Sequence, residues 1–258
     1  MNALIASMFA LDGRRALVTG ASRGIGRAIA ETFAAAGADV AVHYHARADL
    51  ADQVVVHVAR QGRRAVALQA DLVATGAGVD LYRRAREALG GIDIVVFNAA
   101  EQRRQDFDAV DDESYALQTG TGFRSAFEVA RAALPAMRAA KFGRLIAIGS
   151  VQQYRPNAQL VVYAAMKAAL SNMMRNLAKS AGPDGITCNA ILPGLIATDR
   201  SAEVQADPAA YDALLSRIPC RREGDPREVA ALALYLAGPM GGYATGGEYL
   251  VDGGLALP

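Results

Sequence analysis

Cysteine is scarce in this chain: Cys188 and Cys220 are its only two, too few for a disulfide framework and without metal-ligand spacing around them. Two ordinary reduced thiols are expected, and no metal site. Net charge is nearly lacking as well. The 27 Lys plus Arg stand against 26 Asp plus Glu and leave +1, which argues against a dedicated nucleic-acid or membrane-binding surface and fits small partners better. No run reaches the roughly 18 apolar residues of a membrane span. The opening MNALIASMFALDGRR has no basic leader, and its apolar stretch breaks at Asp12 and Gly13, so a soluble, cytoplasmic protein is the expectation. Internal repeats, linkers and low-complexity runs are also missing. A length of 258 residues is within reach of one α/β domain, so a single domain over 1–258 is expected.

What is present is a regular alternation. Short apolar runs (ALVT, DVAVHY, AVALQ, IDIVVF, RLIAIGS, ITCNAIL, GEYLVDGG) alternate with helical patterns over 24–36, 47–61, 78–89, a stretch ending near Ala140, 162–181 and PREVAALALYLA. The strands are nearly continuous in hydrophobicity, as in a sheet covered on both faces. The pattern predicts an α/β, doubly wound (Rossmann-type) parallel sheet of about seven strands with helices on both faces, and such sheets bind ligands at the carboxyl ends of their strands.

The strand ends carry the informative residues. After the first strand comes TGASRGIG, with Gly20, Gly24 and Gly26 opening a helix. Glycines there let backbone approach a pyrophosphate, whose charge the helix N-terminus meets. A tight ligand-free turn would look the same, but its place after the first strand of an alternating chain favours the phosphate. At the third and fourth strand ends stand Asp71 and Asn98; each alone suits a turn cap, and together with the glycine turn they frame an adenosine. The second strand ends without the carboxylate that would bond the ribose 2′-hydroxyl of NAD, and Tyr44 and His45 occupy that point. NADP(H) is therefore favoured and NAD(H) stays open, with Arg23 and Arg47 as candidates for a 2′-phosphate. His43 and His45 line the strand end.

The strongest chemical signal is GSVQQYRPNAQLVVYAAMKAAL. Tyr163 and Lys167 are four apart, so on a helix they share a face. An ammonium beside a phenol favours phenolate, which makes a usable acid or base. Ser150, thirteen residues earlier at a strand end, is placed to steady a carbonyl oxygen. A packed tyrosine beside a surface lysine is the plain alternative, and the serine selects against it. Met166, Leu170, Met173 and Leu177 recur at helical spacing as core.

These residues resemble the short-chain dehydrogenases/reductases, in the single-domain branch of about this length that includes the 3-oxoacyl reductases. The likeness runs from LDGRRALVTGASRGIG to YLVDGG and keeps the family's order of motifs. The resemblance implies Tyr163 as general acid/base, Lys167 as its partner and ligand of the nicotinamide ribose, and Ser150 as the residue that orients the carbonyl. For the cofactor it implies Gly20, Ser22, Arg23, Gly24, Ile25, Gly26, His45, Asp71, Leu72, Asn98 and Ala99, with Pro193, Gly194, Ile196 and Thr198 along the nicotinamide. It further implies a lid at about 198–222 and a homo-oligomer, dimer or tetramer, that pairs the two long helices and buries the apolar GGLALP end.

Two departures stand out. The family places an asparagine five residues before the phenylalanine equivalent to Phe127, where it holds a water leading from the lysine to solvent; this chain has Gly122. With Gly120, it weakens the helix in which it lies and calls for a bend or a later start. The family's Asn-Asn-Ala-Gly here reads Phe97, Asn98, Ala99, Ala100, which would strain Ala100 if its φ had to be positive. The reading is an NAD(P)H-dependent oxidoreductase that interconverts a small-molecule carbonyl and a secondary alcohol. A sugar or polyol dehydrogenase using NAD and a cofactor-binding scaffold with little turnover remain alternatives.

Overall fold

The computed structural model describes residues 3–199, 201 and 205–257. Seven strands, β1 (Arg15–Val18), β2 (Asp39–Tyr44), β3 (Ala65–Gln69), β4 (Ile94–Phe97), β5 (Gly143–Ile148), β6 (Ile186–Pro193) and β7 (Glu248–Val251), form one sheet in the order 3-2-1-4-5-6-7, every pair parallel. The helices are α1 (Ala3–Met8), α2 (Gly24–Ala35), α3 (Ala48–Arg60), α4 (Ala77–Leu89), α5 (Asp112–Thr119), α6 (Ser125–Ala140), α7 (Val161–Ala181), α8 (Pro208–Ser216) and α9 (Pro226–Ala237). No described helix is long and apolar enough to cross a membrane.

Because side chains alternate across a strand, β1 to β6 feed both cores, and β7 feeds one through Tyr249 and Val251. Leu17, Val95, Leu145 and Cys188 pack with Leu81, Met137, Leu170 and Met174 from α4, α6 and α7. Ala16, Val18, Val40, Val96 and Ile146 pack with Ile29, Phe33, Val54 and Val229 from α2, α3 and α9. On α7, Met174 is the fully buried methionine, and Met173 and Leu177 are only partly buried against the same core, one position round the helix from the expectation.

The sequence expectations match the strands and bring most helix ends within a residue. The exception lies between α5 and α6. There Gly120–Arg124 widens into a π turn in which the Ser125 N–H donates to the carbonyl of Gly120, five residues back. α4 has no side-chain cap of its own; Glu128, buried on α6, accepts from the N–H groups of Gly76 (2.9 Å) and Gly78 (3.0 Å) at its start, a trans cap that satisfies otherwise orphaned donors.

Since β1 lies between β2 and β4, the chain reverses its direction of winding there. In sheets of this order the carboxyl edge at the reversal is where ligands bind. Every residue expected to touch a cofactor or substrate falls on this carboxyl edge.

Candidate active site

The glycine turn after β1 is held from three sides. Asn98, just past β4, donates from Nδ2 to the carbonyls of Thr19 and Gly20, both at 2.9 Å. Thr19 Oγ1 accepts from the N–H groups of Asn98 (2.9 Å) and Ala99 (3.0 Å). His43, buried at the end of β2, accepts the Gly20 N–H at Nδ1 (2.9 Å), and its Nε2 faces the Ala70 carbonyl at 3.1 Å. Gly20 and Gly24 have φ of 64° and 56°, a region that disfavours side chains. A Cβ at Gly26 would lie 2.3 Å from the Gly20 carbonyl oxygen, and one at Gly24 would lie 3.2 Å from a Thr198 methyl carbon. Arg23, the residue before α2, makes no capping hydrogen bond from its side chain, so the first turn of α2 has no cap from that residue. Backbone that side chains cannot approach, together with an uncapped helix start, suits a pyrophosphate, and the residues fit a dinucleotide on this ground.

Asp71, beyond β3, accepts the Val73 N–H at 3.0 Å; Leu72 is buried in the core beside it. Ser22 is buried, Ile25 packs partly buried against the second core, and His45 is exposed. Neither candidate arginine is free: Arg23 pairs with Asp199 and Arg47 with Asp49, each at 2.8 Å and solvent-exposed. Both guanidinium groups lie at the exposed rim beside the glycine turn and the end of β2. Ala100 is absent from the non-glycine residues with positive φ, which among the described residues are Lys141 and Arg221, so the anticipated strain does not arise.

On the other side of the turn, β5 ends at Ile148 and leads through Gly149 to Ser150. Ser150 opens a short 3₁₀ turn: its Oγ accepts the Gln152 N–H (3.2 Å), while Gln153 Oε1 accepts the Ser150 N–H (3.1 Å). Gln153 also donates to Ser171 Oγ of α7 at 3.0 Å. It is therefore a buttress of Ser150 rather than a pocket residue, and the pattern of serine followed three residues later by glutamine was its sequence signal. Tyr154 turns away to hydrogen-bond Glu248.

Tyr163 and Lys167 lie in the first turns of α7, at 6% and 3% exposure beside Ser150 at 8%. The Lys167 Nζ donates to the Ile148 carbonyl at 2.6 Å and sits 5.6 Å from the centroid of the Tyr163 ring. Helix α7 is thus pinned to the end of β5, two residues before Ser150. Below them, β6 ends at Pro193; the Gly194 N–H donates to Val251 (3.0 Å), Ile196 is buried, and the Thr198 N–H donates to Ser201 Oγ (3.2 Å).

A buried serine, tyrosine and lysine beside a dinucleotide cradle, all on the carboxyl edge of a parallel sheet, agree with a comparison over nearly the whole length. The family model described as enoyl-(acyl carrier protein) reductase matches residues 20–256. The chain is a short-chain dehydrogenase/reductase. It is therefore an oxidoreductase of the family that interconverts carbonyls and alcohols. It is 36% identical to an L-rhamnose 1-dehydrogenase (NAD(P)(+)) of Azotobacter vinelandii, covering 95% of this chain and 97% of that one. It is 35% identical to a 3-oxoacyl-[acyl-carrier-protein] reductase of Synechocystis, covering 97% and 100%. The solved structure of a 3-oxoacyl (acyl-carrier-protein) reductase of Agrobacterium tumefaciens with NADP bound superposes with a TM-score of 0.91 at 37% identity, covering 96% of each chain.

Gly122 is buried in the π turn against α7. A Cβ there would lie 3.1 Å from Met166 Cε and 3.4 Å from its Sδ. The space in front of Gly122 is occupied by a thioether, which no feature of the local sequence announced.

Proposed function

We propose that the protein is an NADP(H)-dependent oxidoreductase that interconverts a small-molecule carbonyl and a secondary alcohol, with Tyr163 as general acid/base. The observation that carries this reading is the burial of Ser150, Tyr163 and Lys167 together at the end of β5, with the lysine held beneath the tyrosine ring. The glycine turn and the Pro193–Thr198 segment would hold the dinucleotide, whose nicotinamide would supply or take the hydride. Ser150, its backbone fixed by Gln153, holds the substrate oxygen. Tyr163 gives that oxygen its proton in reduction and takes it back in oxidation, with Lys167 buried beside its ring.

NADP(H) is preferred because no carboxylate ends β2, so nothing there repels a 2′-phosphate. Arg23 and Arg47 are held only in exposed ion pairs, which cost little to exchange for a phosphate; the Agrobacterium relative was solved with NADP. A second reading is oxidation of a sugar or polyol, which the similarity to the L-rhamnose 1-dehydrogenase supports. We read the chain as one cytoplasmic domain over 1–258 that works as a homo-oligomer. In that reading 198–222 forms a lid over the substrate, carrying α8; Arg200 and 202–204 of that segment lie outside the described residues.

The test is NADPH consumption with a panel of ketones and aldehydes, run beside NADP⁺ reduction with aldoses and polyols. Tyr163→Phe should lower turnover by about 10²–10⁴ while NADPH still binds, as followed by fluorescence. Unchanged turnover in Tyr163→Phe would remove the tyrosine from the chemistry. NADPH binding without turnover across both panels would favour a scaffold.

A further inference from the structure

The π turn touches more than Met166. On its opposite side it meets the loop that follows Asp71, and a Cβ at Gly120 would lie 3.1 Å from the Val73 Cα and 3.2 Å from the Val73 carbonyl oxygen. That carbonyl accepts a hydrogen bond from Nη2 of Arg124, a residue of the turn itself. Val73 is thus held at both ends, by Asp71 on its amide and by Arg124 on its carbonyl. Val73 lies on the adenine side of the carboxyl edge: Ala70 meets the His43 ring that supports Gly20, on the flank of the glycine turn away from Ser150.

Arg124 spends its charge on this carbonyl. It forms no ion pair among the described residues, and its Nε is buried without a hydrogen-bond partner. A half-buried arginine without a carboxylate partner is an expensive way to satisfy one carbonyl, unless the link itself matters. The far side of the turn shows what is linked. Gly122 seats Met166, the residue before Lys167, on the turn of α7 that places the Lys167 ammonium on Ile148.

We propose that Arg124 is a positioning residue that couples the adenine-side loop at Asp71–Val73 to the π turn under Met166 and Lys167. The inference rests on the cofactor reading above. Both glycines leave no room for a side chain between the turn and its neighbours, and the Arg124 hydrogen bond ties the loop to the turn. An adenosine group that fixes Asp71 and Leu72 therefore also firms the seat of the lysine.

Amide hydrogen exchange with adenosine 2′,5′-bisphosphate, the adenine half of NADP, tests this without any contribution from the nicotinamide. In the wild type the ligand should slow exchange in 71–76 and also in 116–127. In R124M the slowing should persist in 71–76 and vanish in 116–127, and the affinity for the bisphosphate should fall by no more than about tenfold, the ceiling that one charge-assisted hydrogen bond within the protein sets. R124K, which restores a donor, should recover part of both effects. Slowing confined to 71–76 in the wild type overturns the coupling, whether or not R124M folds. Equal slowing at 116–127 in R124M and wild type overturns the role of Arg124. Failure of the wild type to bind either NADPH or the bisphosphate overturns the cofactor reading instead.

Discussion

His43 illustrates how much one side chain can carry at the residue scale. Its Nδ1 accepts from Gly20 and its Nε2 faces the Ala70 carbonyl, so the neutral tautomer with its proton on Nε2 is the one that satisfies both. Burial pushes its pKa down to about 4. The unfolded chain takes up this proton below about pH 6.5. Between those values the unfolded state holds more protons than the folded one. The contribution of His43 to stability is therefore full above about 6.5 and is lost as pH falls toward 4, by about 3 kcal/mol in all. Denaturant unfolding should show the wild type losing about 2 kcal/mol more than His43→Gln between about pH 7 and pH 5; equal losses would mean the ring is hydrated in the folded state. The same burial pushes the Cys188 thiol up to about 12, which makes it an unreactive core residue. The sequence marked His43 as lining a strand end. It could not show that the ring supports Gly20, because that bond depends on how β2 lies beside β1.

At the scale of the element, the π turn separates what local sequence determines from what distant contacts determine. Gly120 and Gly122 announce a weak point in a helix, and the helix does widen there. The extra residue in the turn is set by neighbours remote in sequence, Val73 on one side and Met166 on the other. Replacing Gly122 by Asn should lower stability by about 1–2 kcal/mol by crowding Met166, a typical cost of overfilling a packed site. Met166→Val in the same chain should recover much of it. Thermal unfolding of the two single variants and the double variant measures the coupling, and strictly additive effects would show that the two residues do not press on each other. The turnover of the double variant then reports whether an amide at position 122 speeds proton delivery.

The whole molecule was the most readable level, because a parallel sheet buried on both faces writes each strand as a continuous apolar run and each crossover as a helix. The glycine turn, Asn98, Ser150, Tyr163 and Lys167 could be singled out from sequence for a related reason: a parallel sheet brings strand-end residues to one edge, and the structure gathers these on it. Side-chain partnerships across that edge were beyond reach, as the pairing of Arg23 with Asp199, 176 residues away, shows. The C-terminal segment also differs from expectation. Leu255 is buried within its own chain beside Val151 and Ile218, leaving Leu257 exposed. Exposed Tyr115, Phe127 and Val161 on α5, α6 and α7 suit a self-association surface, and sedimentation at micromolar concentration should give a dimer or tetramer, weakened by Phe127→Glu. A monomeric wild type would refute this.

The strand order has a consequence for synthesis. From β4 onward each new strand lies beside the one made just before it, so the second half of the sheet can grow as the polypeptide emerges from the ribosome. The longest closure is between β1 and β4, where Ala16 meets Ile94. Once it is made, the carboxyl edge can be laid down in chain order, and late-made segments dock onto a finished scaffold instead of searching for one.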